Sequence, residues 1–144
     1  MKIFLDVNVI LDVLADREPW AEDAALVLSL LESDEIEGVV AAHSITTLYY
    51  LTSRHLTRKK ATGALVELLK LVSIAPVDQD VILKALSLGW SDFEDAVQGV
   101  CAIEAGAEFL ITRDAGLFDA LSIPALTPAE FLNLIRTSDD EPTG

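Results

Sequence analysis

Four aspartates carry the first argument. Asp6 ends the apolar run Ile3-Phe4-Leu5, Asp92 and Asp95 stand three residues apart, and Asp114 follows the apolar stretch Phe109-Leu110-Ile111 through Thr112 and Arg113. A carboxylate where a buried strand surfaces needs a reason, because burial disfavours the charged form. Acids gathered at one spot also raise each other's pKa, and a divalent cation bound through oxygen relieves that repulsion. Taken singly, each aspartate has a plainer reading. Asp6 could cap the next helix, although Asn8 is the better cap candidate. Asp92 and Asp95 could be first-turn acids favoured by the helix dipole. Asp114 could be a turn residue. What counts against coincidence is where the elements put them.

Strand-like segments, short and apolar with little alternation, fall at 3–5, 38–42, 72–76 and 108–112, as expected of strands buried on both faces. Helical patterns separate them. Val9–Ala15 is brief, Trp20–Leu31 repeats its apolar residues at helical spacing, and Ser44–Leu51 follows the second strand. Thr57 caps a helix that reaches Leu71, and Asp78 caps Gln79–Leu88. Ser91 is the expected cap of Asp92–Ala105, whose Gly99, Ala102 and Gly106 form a small-residue face. Thr127-Pro128-Ala129-Glu130 combines a capping box with proline at the first helical position, so a last helix should run to about Arg136. Strands alternating with helices indicate an α/β fold, a three-layer α/β/α sandwich around a mostly parallel sheet. Residues 1–136 read as one domain and 137–144 as a flexible acidic tail. In such sheets sites form at the carboxyl ends of the strands. Asp6 and Asp114 belong there, and Asp92 and Asp95 share one helix face.

The formal net charge of −14, from 24 acidic and 10 basic residues, argues against non-specific nucleic-acid binding through Lys and Arg. It leaves room for a nuclease whose metal ions supply positive charge locally. It also suits a basic protein partner. No apolar run spans a bilayer and no signal peptide is evident, so the expected location is the cytoplasm. The single cysteine, Cys101, excludes a disulfide scaffold and reads as core. G-x-G-x-x-G, P-loop and G-x-S-x-G motifs are absent. Asp12, one turn after Asn8, reads either as a partner of the site or as an exposed helix acid. Arg54–Lys60 is the only basic cluster and could steer a phosphate backbone or simply start a solvated helix. His43 reads as a packing residue.

These residues resemble the PIN domains, and especially the small prokaryotic ones that include VapC-type toxins. The resemblance covers nearly the whole chain and rests on three motifs in order. They are Phe4-Leu5-Asp6-Val7-Asn8-Val9-Ile10-Leu11-Asp12, Asp92-Phe93-Glu94-Asp95-Ala96 and Leu110-Ile111-Thr112-Arg113-Asp114. It implies a ribonuclease dependent on Mg²⁺ or Mn²⁺, with Asp6, Asp92, Asp95 and Asp114 as catalytic acids and metal ligands. Asn8 and Thr112 become polar helpers that orient water or carboxylates. Many members carry a glutamate in the helix after the second strand, where this chain has Thr47; threonine can bind a metal-held water but brings no charge. Asp12 is a supporting acid that could compensate. Arg113, Arg54 and Arg58 are candidate substrate contacts.

The implied activity is hydrolysis of RNA phosphodiesters, which needs no protein nucleophile. The implied partners are the RNA, a small antitoxin with a basic or amphipathic segment, and a second copy of the chain in a homodimer. The alternative is a catalytically weak or inactive PIN-like module that binds RNA or protein. A third reading, haloacid-dehalogenase-type phosphoryl transfer from Asp6-Val7-Asn8, lacks the second acid and a strand-end lysine.

Overall fold

A computed structural model of the chain describes residues 1–140. The order is β1 (Lys2–Leu5), α1 (Val7–Leu14), α2 (Ala21–Leu30), β2 (Glu37–Ala41), α3 (Ala42–His55), α4 (Arg58–Leu71) and β3 (Val72–Ala75). It continues with α5 (Gln79–Leu88), α6 (Phe93–Glu104), β4 (Phe109–Ile111), a 3-10 turn (Ala115–Phe118), β5 (Ala125–Leu126) and α7 (Pro128–Asp140). All strand pairs are parallel, in the order β3-β2-β1-β4-β5.

Alternation along the strands feeds two cores. Ile3, Leu5, Val40 and Ile111 point to one face, which α1, α2, α3, α4 and α7 cover. Phe4, Val39, Ala41 and Leu110 point to the other, against α5, α6 and Phe118. Both faces are buried, so the strands read as continuous apolar runs. This is the expected three-layer sandwich.

The differences have local causes. β5 has two residues, too few to leave a pattern in sequence; it is held by Leu110 N donating to Pro124 O and Thr112 N to Leu126 O. Helix α3 runs four residues past Leu51, so Arg54 and His55 form its last turn. Helix α7 continues to Asp140, so residues 137–140 are helical and not a tail; 141–144 lie outside the described residues. Asp92, not Ser91, caps α6, and Asp6, not Asn8, caps α1. Gly106 lies beyond α6 at φ 73°, a left-handed residue just past the helix and not part of its face. No helix among the described residues is long and apolar enough to cross a membrane.

From β1 the chain winds outward to β2 and β3, then returns to place β4 on the other side of β1. The order reverses between β1 and β4, and a crevice opens at their carboxyl ends. Asp6 directly follows β1, and Thr112 directly follows β4.

Candidate active site

Asp6 is the fixed point of the crevice. It is 2% exposed and its backbone N–H extends the ladder to Ile111 O at 3.0 Å. Three donors hold its carboxylate. Thr112 Oγ1 donates to Oδ2 at 2.7 Å, while Gln98 Nε2 and the Asn8 backbone N–H donate to Oδ1 at 3.1 and 3.2 Å. A buried carboxylate needs such donors, since an unpaired one costs several kcal/mol or shifts its pKa. Gln98 also accepts from the Val7 N–H at 3.0 Å, which ties α6 to the start of α1. Thr112 in turn accepts from the Asp114 N–H at 3.1 Å. One hydroxyl therefore links the first and last acids.

Asp95 stands in the first turn of α6, half-buried. Its carboxyl is pushed up to about 6, chiefly by burial and then by the charges of Asp92, Asp6, Glu94 and Asp114. Its backbone N–H donates to Asp92 Oδ1 at 3.1 Å. Asp92 is thus both cap and neighbouring charge. Asp114 precedes the 3-10 turn and makes no side-chain cap bond, which leaves its carboxylate available. A cavity of about 170 Å³ brings Asn8 and Thr47 together with Asp92, Glu94, Asp95 and Gln98.

Asp12 is not an exposed helix acid. It is fully buried, with Arg17 Nε 2.9 Å from Oδ1 and Arg113 Nε 3.2 Å from Oδ2. These are ion pairs without hydrogen-bond alignment. Burial raises the Asp12 carboxyl even against the two guanidinium groups. Arg17 reaches on to Asn8, donating to its Oδ1 at 3.3 Å. The Arg113 guanidinium lies 4.0 Å from the Trp20 ring centroid. Asp12 therefore braces the rim through two arginines, and Arg113 is committed to Asp12 and Trp20. Arg54 lies 5.5 Å from the Tyr50 ring, and neither it nor Arg58 lines the cavities that hold the acids. Both ring nitrogens of His43 are buried without a partner, and burial pushes its pKa down.

Sequence reasoning missed Gln98, Glu94 and Arg17. Gln98 carried a signal, as the one polar residue in Ala96–Ala102. Glu94 sits inside a motif already singled out. Arg17 had none, because only the turn after α1 brings it back to Asp12 and Asn8.

The donors around the crevice are all oxygens, which suits a hard cation such as Mg²⁺ or Mn²⁺. The raised pKa of Asp95 comes first from burial and then from four neighbouring acids, and a cation would relieve the second of these. Among the described residues no three acid, imidazole or thiol side chains already close on one point, and Asp92 and Asp114 are exposed.

The Asp6 harness makes a direct expectation. Thr112→Val or Gln98→Leu each leaves a buried carboxylate short of a donor and should cost about 1–3 kcal/mol, read by urea unfolding. No change in midpoint for either would mean that Asp6 is not held as described.

A family model described as a PIN domain matches residues 2–116. The chain is 27% identical over 135 residues to Ribonuclease VapC1 of Aquifex aeolicus (strain VF5), covering 90% of this chain and 92% of that protein. It is similar in fold to a chain of VapBC2 from Rickettsia felis, solved bound to a DNA fragment from its promoter. The TM-score is 0.69 at 15% identity, over 88% of this chain and 98% of the other. VapC20 of Mycobacterium tuberculosis, described as a sarcin-ricin loop cleaving toxin, matches with TM-score 0.60 at 17% identity, over 75% and 86%.

Proposed function

Because the chain belongs to the PIN domain family, we propose that it is a divalent-metal-dependent endoribonuclease and the toxin of a toxin–antitoxin pair. The observation that carries the reading is the set of four aspartates at the β1/β4 switch point, with the Asp95 carboxyl pushed up to about 6 by burial and then by the acids around it. The likeness to Ribonuclease VapC1 supports the activity. The likeness to the VapBC2 chain supports a fold shared with a toxin–antitoxin assembly.

Asp6, Asp92, Asp95 and Asp114 would hold Mg²⁺ or Mn²⁺, with Asn8, Thr47 and Thr112 in support. When bound, the ion lowers the pKa of a coordinated water and stabilises charge on the phosphate oxygens. The chain's own work is orientation and charge. Thr112 and Gln98 fix Asp6 so that its carboxylate does not swing, and their bonds to it leave little rotational freedom to lose. Asp95, ionised above about pH 6, would be steadied in that form by the positive charge of a bound ion. Arg17, braced by Asp12, holds the Asn8 amide toward α1. Arg113 positions the segment before Asp114, while Arg54 and Arg58 stand as phosphate contacts at the α3–α4 junction. The net charge of −14 suits an antitoxin with a basic segment.

The test is cleavage of a mixed pool of structured and single-stranded RNA with Mn²⁺, Mg²⁺ or EDTA. Cutting in Mn²⁺ and none in EDTA is expected; equal cutting in EDTA sinks the metal role.

Glu94 shares the cavity of Thr47 and adds to the charge on Asp95. Glu94→Gln should weaken Mn²⁺ binding about tenfold by calorimetric titration. An unchanged affinity would leave Glu94 as a surface acid.

A second reading is a PIN module that binds without cutting. One observation favours it: among the described residues no three such side chains are preset around one point. Failure to bind Mn²⁺ at millimolar concentration would select it.

A further inference from the structure

We propose that the cleft between the start of α6 and the 3-10 turn Ala115–Phe118 is a nucleobase subsite. It takes the base beside the phosphate held at the acids and favours bases that carry an exocyclic amino group. The proposal rests on the nuclease reading and names how that site would select its cleavage position.

The cleft measures about 480 Å³ and shares Asp92 and Asp95 with the acid site. That volume lies in the range of small-molecule pockets. Asp119 also lines it, so three carboxylates face the space. A free phosphate group would be repelled there, whereas a neutral flat group would not. The walls suit such a group. Trp90 is set edge-on against Phe118, with centroids 5.8 Å apart and planes at 71°, so its ring is fixed in place. Leu117 is 61% exposed, a large apolar side chain presented to solvent at the edge of the cleft. Unpaired bases bind by stacking on such apolar and aromatic faces, worth about 1–3 kcal/mol each. The Asp119 carboxylate accepts hydrogen bonds only, so it pairs with the amino group of adenine, cytosine or guanine, whereas uracil offers it a single N3–H set between two carbonyl oxygens that it repels.

Gly116 lines the cleft. A Cβ placed there would meet nothing within 4 Å, and its backbone is not in the left-handed region. Gly116→Leu should therefore fold normally and narrow the cleft. This makes it a cleaner probe than removal of Trp90, which packs on Phe118.

The experiment measures binding of labelled A₆, C₆ and U₆ by fluorescence anisotropy. Ca²⁺, another hard oxygen-bound cation, replaces Mn²⁺. The unmutated chain, Gly116→Leu and Asp119→Asn are compared. A₆ and C₆ should bind about tenfold tighter than U₆. Gly116→Leu should weaken A₆ and C₆ by about that factor and leave the calorimetric Ca²⁺ affinity unchanged. Asp119→Asn should remove most of the preference over U₆. Mapping of Mn²⁺-dependent cuts should then show the base preference relaxed in both variants. Unchanged A₆ and C₆ affinity in Gly116→Leu overturns the proposal. So does a Gly116→Leu effect confined to a hexa-arginine peptide, which would make the cleft a docking point for a basic protein segment. Absence of any cutting by the unmutated chain counts against the nuclease reading alone, because hexamer binding is read without it.

Discussion

An Asp95→Asn chain should lose Mn²⁺-dependent RNA cleavage by about a hundredfold or more, and yet melt at a higher temperature than the unmutated chain in EDTA. The first effect follows from its place among the four acids. Even partners outside a metal's direct ligands typically cost 10–100-fold, and a ligand should cost at least as much. The second follows from its pKa, raised from 3.8 to about 6 by burial and by Asp92, Asp6, Glu94 and Asp114. A raised carboxyl pKa means that the folded chain binds the proton more tightly than the unfolded one. Stability is therefore greatest below about 3.8 and falls as pH rises through about 6. At pH 7.5 the full penalty is present. The rise corresponds to about 3 kcal/mol at most, and partial exposure screens it to about 1–2 kcal/mol. Asparagine removes the charge, so the melting temperature at pH 7.5 should rise by about 3–6 °C, and the gain should vanish near pH 4. Mn²⁺ should stabilise the unmutated chain and not the variant. Full cleavage by the variant would remove Asp95 from the site. A gain that persists at pH 4 would remove the electrostatic account.

The second large effect is on stability. Asp12→Ala should cost about 3 kcal/mol and lower the melting temperature by about 6–12 °C. Asp12 is fully buried and supplies the only carboxylate paired with Arg17 or Arg113 among the described residues. Its removal leaves both guanidinium groups, mostly buried themselves, without a counter-charge. The cost sits at the low end of the range for buried pairs, because both arginines retain some access to water. Burial raises the pKa of Asp12 despite two cations, so its desolvation outweighs their attraction. Replacing all three, with Asp12→Leu, Arg17→Met and Arg113→Met, should recover most of the loss. Differential scanning calorimetry of the single and triple variants decides this. A silent Asp12→Ala, or a triple variant worse than the single, would show that the cluster does not act as one unit.

The candidate acids were legible because their positions are local facts. A charge directly after an apolar strand, or two acids at a helix start, can be read from neighbours in the chain. The parallel sheet was legible for the same reason, since strands buried on both faces lose their alternation. Boundaries were less so. Ser91 and Asp92 are both good caps, and the choice fell to Asp92 because the helix begins at Phe93 and its carboxylate meets the Asp95 N–H. The end of α7 was placed early because the polar run after Thr137 carries no core-facing pattern.

What the sequence determined by itself is the set of acids and the alternation of strands and helices that delivers them to one edge. Only the tertiary structure decided which side chains hold that edge in place. Gln98 meets Asp6 across 92 positions and Thr112 across 106, and Arg17 and Arg113 meet at Asp12 from separate connecting segments. Local propensity fixes a residue's element and face. Which polar group it satisfies depends on contacts between distant parts of the chain, and those exist only once the two cores have packed against the sheet.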